Sequence, residues 1–322
     1  VPIELNFFLH SEQMTKPSDQ VQEITSPDKA ELERMAEILT ASSDYRIQRR
    51  LVRRSHVNPA DGTPTRTALF LDLETTGLDS CTDEIIEIAM VPFEYAVDGK
   101  IFGIGQPYQT FNEPTSPIPT AVERLTGITD EMVTGHKIDL QRVEEMVRGS
   151  SLVIAHNSNF DRRFAEKLCH AFEDAAWACS MTQVDWAAEG HEGTKLAYLA
   201  ASNGFFYDGH RAEHDCYAAI ELLAQKLPVS GKLAMAAMLE KARKPSWRIW
   251  AENSPYDLKD QLKRRGYRWN GDNDGRPKAW YIDVEDEQRS DEINFLRKEI
   301  YLREVELFVQ KITAYNRFSN RQ

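Results

Sequence analysis

The segment Ala68-Leu69-Phe70-Leu71-Asp72-Leu73-Glu74 constrains this chain more than any other. Its apolar run, opened by Thr67, reads as a strand. Asp72 and Glu74 are one residue apart, so strand alternation points both side chains to one face. Two carboxylates on one face of a buried strand repel each other and are costly without a compensating charge. A bound cation is the natural compensation. The alternative is an edge strand with a solvated face, which Phe70, Leu71 and Leu73 argue against.

Carboxylates gathered in this way suit phosphodiester hydrolysis, in which their oxygens hold two divalent cations roughly 4 Å apart. The remaining acids can come from distant stretches. Asp161 follows Ala155-His156-Asn157-Ser158-Asn159-Phe160, the loop and first helical turn after a short apolar strand; an acid there also serves a helix dipole. His210 and Asp215 stand five apart, about 140° round a helix, so the histidine must lean in from the loop–helix junction. A neutral imidazole there can accept a proton from water, a role for which His214 competes. Thr75-Thr76-Gly77-Leu78 follows the first pair of acids. It reads either as a strand-ending turn or as a ligand-facing loop, with Gly77 allowing close backbone approach.

In their order and spacing these segments resemble the three exonuclease motifs of the DnaQ-like family, which contains the proofreading epsilon subunit of bacterial replicases. The motifs are Leu71-Asp72-Leu73-Glu74-Thr75-Thr76-Gly77-Leu78, then His156-Asn157 with Phe160-Asp161, then His210 with Asp215. The resemblance runs from about Thr67 to Leu227 and includes Leu125-Thr126-Gly127-Ile128-Thr129. It implies a ribonuclease-H-like mixed α/β sheet flanked by helices. It also implies two Mg²⁺ or Mn²⁺ ions and release of nucleoside 5'-monophosphates from a 3' end. Carried over, it makes Asp72, Glu74, Asp161 and Asp215 metal ligands and His210 the general base. Arg211 stands where a sister subclass has tyrosine, which favours the histidine subclass. Thr75 would lie near the 3' hydroxyl and Leu78 would wedge against the end base. Thr76, Gly77, His156, Asn157 and Phe160 would shape the substrate site. A polymerase or repair complex is the implied partner.

Around this core the expected organisation has four parts. Residues 1–64 form a partly helical extension, 65–228 the exonuclease domain, 229–246 a linker with a helix over 232–243, and 247–322 a small α+β module. In the extension, residues 1–27 look poorly structured, and Val1 to His10 has no cationic leader and does not read as a signal peptide. Asp28 starts a helix carrying Leu32, Met35, Ala36 and Leu39; a second helix is expected from Tyr45 to Arg54, and 58–64 is a linker. Strands are expected at Thr67–Glu74, Glu84–Val97, Lys100–Phe111 and Ser151–Ala155, with a hairpin at Asp98-Gly99. Helices are expected at Thr120–Thr126, Leu140–Arg148, Asn159–Phe172 and about His210–Leu227. The small module should hold a helix over 255–265, a hairpin through 270–275 and an acidic helix from Asp291.

The formal net charge of −12 argues against a polyanionic substrate only if charge is even along the chain. It is not: residues 241–280 hold eleven cations against five carboxylates. Cations there alternate with Trp247, Trp250, Tyr267, Trp269, Trp280 and Tyr281, which suits single-stranded nucleic acid. Equally, Trp250, Trp269 and Trp280 can be the core of a mini-domain with a solvated basic face. Arg46, Arg49, Arg50, Arg53 and Arg54 read first as a solvated helical face, or else as a surface that touches a strand backbone or docks on the acidic domain. Cys81, Cys169, Cys179 and Cys216 match no zinc spacing and read as reduced, mostly buried thiols of a cytoplasmic protein. No apolar run approaches the roughly 20 residues of a membrane helix. The reading is therefore a 3'→5' exonuclease, with DNA favoured over RNA and single strands favoured. An RNA-trimming enzyme of the same fold and a non-catalytic nucleic-acid-binding scaffold are the alternatives.

Overall fold

The computed structural model describes residues 27–271 and 275–321, so the expectations for 1–26 and for the turn at 272–274 lie outside the described residues. The chain divides into two compact units, Val1–Ile47 and Gln48–Gln322. In the first, α1 (Lys29–Thr40) starts where Asp28 accepts the Glu31 amide at 2.8 Å. None of its residues is buried, although its apolar side chains recur at helical spacing.

The second unit opens with a correction. The expected helix at 45–54 is extended chain, whose strand β1 (Arg49–Arg50) pairs in parallel with β8 (Phe205–Phe206). The pairing satisfies the backbone and lets Leu51 reach the core. Arg50, Arg53 and Arg54 meet Asp208, Glu213 and Glu221 at 2.6–2.8 Å. These three arginines thus dock on the acidic domain, one of the alternatives to the solvated helical face that the sequence favoured.

Next come β2 (Thr65–Thr75), β3 (Ile85–Ala96), β4 (Ile101–Ile104), β5 (Tyr108–Phe111), α2 (Thr120–Thr126), α3 (Asp130–Val133) and α4 (Leu140–Arg148). They are followed by β6 (Leu152–Ala155), α5 (Ser158–Leu168), α6 (Ala171–Asp174), β7 (Trp177–Cys179), α7 (Leu196–Ser202), β8 and α8 (Ala212–Leu223). The main sheet has the order β4-β3-β2-β6-β7, with β5 also paired to β3. β2, β6 and β7 run parallel and β3 antiparallel to β2. This is the ribonuclease-H-like mixed sheet. The expected third strand is split, because Gly105 bonds back to Pro92 and Pro107 offers no amide to a ladder. The expected helix 159–172 is also split: Cys169 is extended, and the turn places Phe172 against Trp177, 5.8 Å between rings. The hairpin between β3 and β4 needs Gly99, at φ +87°, where a Cβ would lie 2.4 Å from the Ala236 backbone nitrogen.

The two faces of β2 serve two cores. Leu69, Leu71 and Leu73 pack with Val143, Phe164 and Trp177 under α4 and α5. Ala68 and Phe70 pack on the other side with Cys216, Ala219 and Ile220 of α8. That second face continues, two residues on, into Asp72 and Glu74. Among the described residues no helix is long and apolar enough to cross a membrane. The four cysteines are unpaired, with Cys179 and Cys216 buried and Cys81 exposed.

After α9 (Ala234–Arg243) a second sheet has the order β10-β11-β9-β12. Its members are β9 (Ser246–Ala251), β10 (Arg268–Trp269), β11 (Trp280–Glu285) and β12 (Val309–Ile312). A 3-10 turn (Tyr256–Leu258) with α10 (Lys259–Arg264) precedes β10. The acidic helix α11 (Asp286–Phe295) starts five residues before the expected Asp291, its first-turn acids favouring the positive helix end. Residues 313–321 return to the main sheet: Trp177 donates its amide to Ala314 at 2.8 Å, covering the edge of β7.

Candidate active site

β2 delivers Asp72 and Glu74 by strand alternation, and α8 delivers Asp215 from its first turn. Oxygens of these three carboxylates lie within 4.8 Å of one another. The register of β2 on β3 shifts after Glu74, a bulge that re-aims the chain as it leaves the sheet. Asp161 comes from α5, on the opposite face of the sheet. It is not one of that close triple, but its charge acts on both Asp72 and Glu74.

Electrostatics records the crowding. Burial, with Asp215 next in effect, pushes Asp72 well above the ordinary carboxylate range. Burial and the neighbouring carboxylates push Glu74 up to about 8. Burial also raises Asp161 to about 8, against backbone hydrogen bonds that hold it down. Asp215 is raised by burial too, opposed by hydrogen bonds from the Tyr207 hydroxyl at 2.8 Å and the Arg211 amide at 3.2 Å. The donor set is therefore all hard oxygen, with a repulsion that a divalent cation removes.

His210 is exposed, at φ +62°, in the turn before α8. A non-glycine residue there carries backbone strain, a feature that gathers at functional sites. The His210 backbone hydrogen-bonds to, and so favours, the Asp215 carboxylate. His214, the competitor, spends Nδ1 on the Asp208 carbonyl at 2.9 Å. His156 is buried and held near neutral form, its pKa lowered by burial to about 4. Its Nε2 donates to the Thr194 carbonyl at 2.7 Å and its Nδ1 meets the Ser180 hydroxyl at 2.9 Å. The ring thus ties the 180–194 loop to the site.

The Thr75–Leu78 turn is internally tied. Thr75 donates to the Gly77 carbonyl at 2.6 Å, and Thr76 bonds Asp83 at 3.3 Å. A Cβ at Gly77 would lie 2.5 Å from the Asp83 carboxylate. Leu78, four residues after Glu74, is 87% exposed. Asn157 precedes α5 without capping it, and Phe160 packs on Phe164 at 5.0 Å.

Sequence reasoning missed Glu87, Tyr207 and the role of Arg211. Glu87 stands opposite Glu74 on β3 and is fully buried. It accepts from Arg211 Nη2 at 3.1 Å, Gln109 Nε2 at 2.6 Å and the Ala212 amide at 3.1 Å. One buried carboxylate therefore fixes the start of α8, and with it His210 and Asp215. The acid within Ile85-Ile86-Glu87-Ile88 was the available signal.

A family model described as Exonuclease matches residues 69–223. The chain is 31% identical over 163 residues to the DNA polymerase III subunit epsilon of Treponema pallidum, covering 47% of this chain and 72% of that protein. It is 36% identical over 123 residues to a DNA polymerase III PolC-type of Thermotoga petrophila, covering 37% of this chain but only 8% of that longer protein. Exonuclease X, solved in complex with 5' overhanging duplex DNA, aligns at 28% identity and TM-score 0.41, over 54% of this chain and 98% of that one.

Proposed function

Because the chain belongs to the DnaQ-like exonuclease family, we propose that it is a divalent-metal-dependent 3'→5' exonuclease that shortens DNA. The observation that carries this reading is the convergence of Asp72, Glu74 and Asp215 oxygens within 4.8 Å. With Asp161 these carboxylates would hold two Mg²⁺ or Mn²⁺ ions. Bound there, the ions would supply Lewis-acid polarisation and offset charge on the leaving oxygen.

The chain's own residues do the rest. His210, beside Asp215 and open to solvent, accepts the proton of the attacking water. Glu87 and Arg211 hold the loop–helix junction from which it works. Thr75 sits near the terminal 3' hydroxyl and Leu78 wedges against the last base, with Thr76 and Gly77 shaping the turn between them. Asn157 and Phe160 border the strand, and His156 keeps the far loop in place. Nucleoside 5'-monophosphates leave. The relatives' names favour DNA over RNA and make a polymerase assembly a candidate partner.

Purified protein with Mg²⁺ or Mn²⁺ should shorten a 5'-labelled single-stranded DNA from its 3' end. Asp72→Asn should lose on the order of 10³-fold in rate while staying folded. Equal rates in the two proteins would defeat the proposal, and a matched RNA strand tests the substrate.

A further inference from the structure

A cleft of about 720 Å³ lies between the main sheet and the second sheet, lined by seven cations against two carboxylates and by none of the four catalytic acids. One wall is α5, through Asn157, Asn159 and Arg163; the other is the face of β9, β10 and β11. We propose that this cleft holds the backbone of a single-stranded polynucleotide upstream of the 3' end being cut, with Trp269 as a stacking platform. The proposal rests on the exonuclease reading and extends it to a second binding surface.

Three observations carry it. First, the wall has donors that nothing among the described residues uses. Gln183 is 4% exposed, and its Oε1 is fixed by the Cys179 amide at 2.8 Å, yet its Nε2 has no partner. Arg163 Nε is likewise buried and unpartnered. Both residues line the cleft, and a buried donor without an acceptor is costly. Phosphate oxygens are acceptors of the required sign. Second, the basic face is pre-organised. Arg248 and Arg268 share one carboxylate, Asp283, at 2.7 and 2.9 Å, and both guanidinium groups lie over the Tyr281 ring, at 4.7 and 4.9 Å. Around this pair the described lining sets seven cations against Asp283 and Glu285, an excess of positive charge. Third, the tryptophans divide their duties. Trp250 is buried and Trp280 packs on the second sheet's own core of Ile249, Leu262 and Val284, but Trp269 is 55% exposed and lines the cleft. Exposed aromatics within a basic groove stack bases with little regard for sequence.

Continuity with the active site runs through α5. The Asp161 amide bonds the Asn157 carbonyl at 3.3 Å, so the cleft ends one helical turn from a catalytic carboxylate. Asn159 and Arg163 lie about 160° around the helix from Asp161. A strand must therefore round the helix N-terminus at Asn157 to pass from cleft to acids. This continuity, with Trp269, favours a polynucleotide over an acidic peptide.

Fluorescence anisotropy tests the proposal, using the full chain in EDTA with 5'-fluorescein dT20 and, in parallel, rU20. The double variant Lys244→Glu/Arg268→Glu should bind at least about tenfold more weakly and show a shallower salt dependence, by roughly 0.7 per lost phosphate contact. Trp269→Ala should weaken binding on the order of tenfold. Lys298→Glu, outside the cleft, should leave binding within about twofold. Should charge reversal unfold the protein, as a thermal melt would show, Lys244→Gln/Arg268→Gln should weaken binding in the same direction. Loss for either strand supports the proposal, and the tighter arm names the sugar. Cleft variants within twofold of wild type, equal loss in Lys298→Glu, or polyglutamate competing as well as unlabelled strand each overturn it. Wild-type hydrolysis of the p-nitrophenyl ester of thymidine 5'-monophosphate tests the exonuclease reading separately. Its absence would sink that reading while the titration still decides the cleft.

Discussion

Replacing Arg162 with methionine tests how the C-terminal segment is fastened to the exonuclease sheet. The guanidinium is 0% exposed. It donates to Glu166 at 2.6 Å and to the carbonyls of Tyr315 at 2.6 Å and Arg317 at 2.8 Å, and lies 5.3 Å from the Trp177 ring centroid. Methionine keeps much of the stem's volume and removes every donor. Breaking a buried pair typically costs about 3–5 kcal/mol, because the partner's charge is stranded. Here Glu166 keeps Arg321 at 3.1 Å and the Ser319 hydroxyl at 2.7 Å, so that part shrinks. Two part-buried carbonyls lose their donor, at the lower end of about 1–3 kcal/mol each, and relief from burying a cation offsets some of it. A net loss of about 2–4 kcal/mol follows, a large share of the roughly 5–15 kcal/mol by which domains are stable. Urea unfolding at neutral pH measures it. Hydrogen exchange at the Trp177 amide, bonded to Ala314, should quicken as residues 313–321 loosen. A loss under about 0.5 kcal/mol with unchanged exchange at Trp177 would refute the reasoning.

Two further outcomes are expected. His156 has a folded pKa of about 4, below its ordinary 6.5, so the unfolded chain takes the proton more readily. Its share of stability is intact above about 6.5 and lost as pH falls toward about 4, by about 3 kcal/mol in all. His156→Asn should flatten the acid limb of stability measured in chelator by urea titration between these pH values, and equal acid sensitivity would count against the assignment. Glu87→Gln should cost about 1–2 kcal/mol in urea, through the weakened Arg211 pair, and lower kcat on a DNA strand more than it changes KM. A change in KM alone would place Glu87 outside the catalytic junction.

Sequence and structure part company for identifiable reasons. The strand holding Asp72 and Glu74 was legible because one local pattern carries both the fold signal and the chemistry. The stretch from Tyr45 to Arg54 was misread because its helical charge pattern is local, whereas its partners Phe205, Asp208, Glu213 and Glu221 lie more than 150 residues away. Glu87 became visible only when register set it opposite Glu74. The module after residue 246 was readable as basic and aromatic. What no local pattern could give is that its sheet faces α5 across a cleft, since that follows from packing of residues 313–321 on β7.

Manganese binding, followed by electron paramagnetic resonance, addresses the central claim most directly. Wild-type protein should take up two Mn²⁺ ions saturably near neutral pH, and Asp72→Asn should lose most of that uptake while remaining folded. Wild type that binds no manganese, or Asp72→Asn that binds it as well, would contradict a carboxylate cluster built to hold cations.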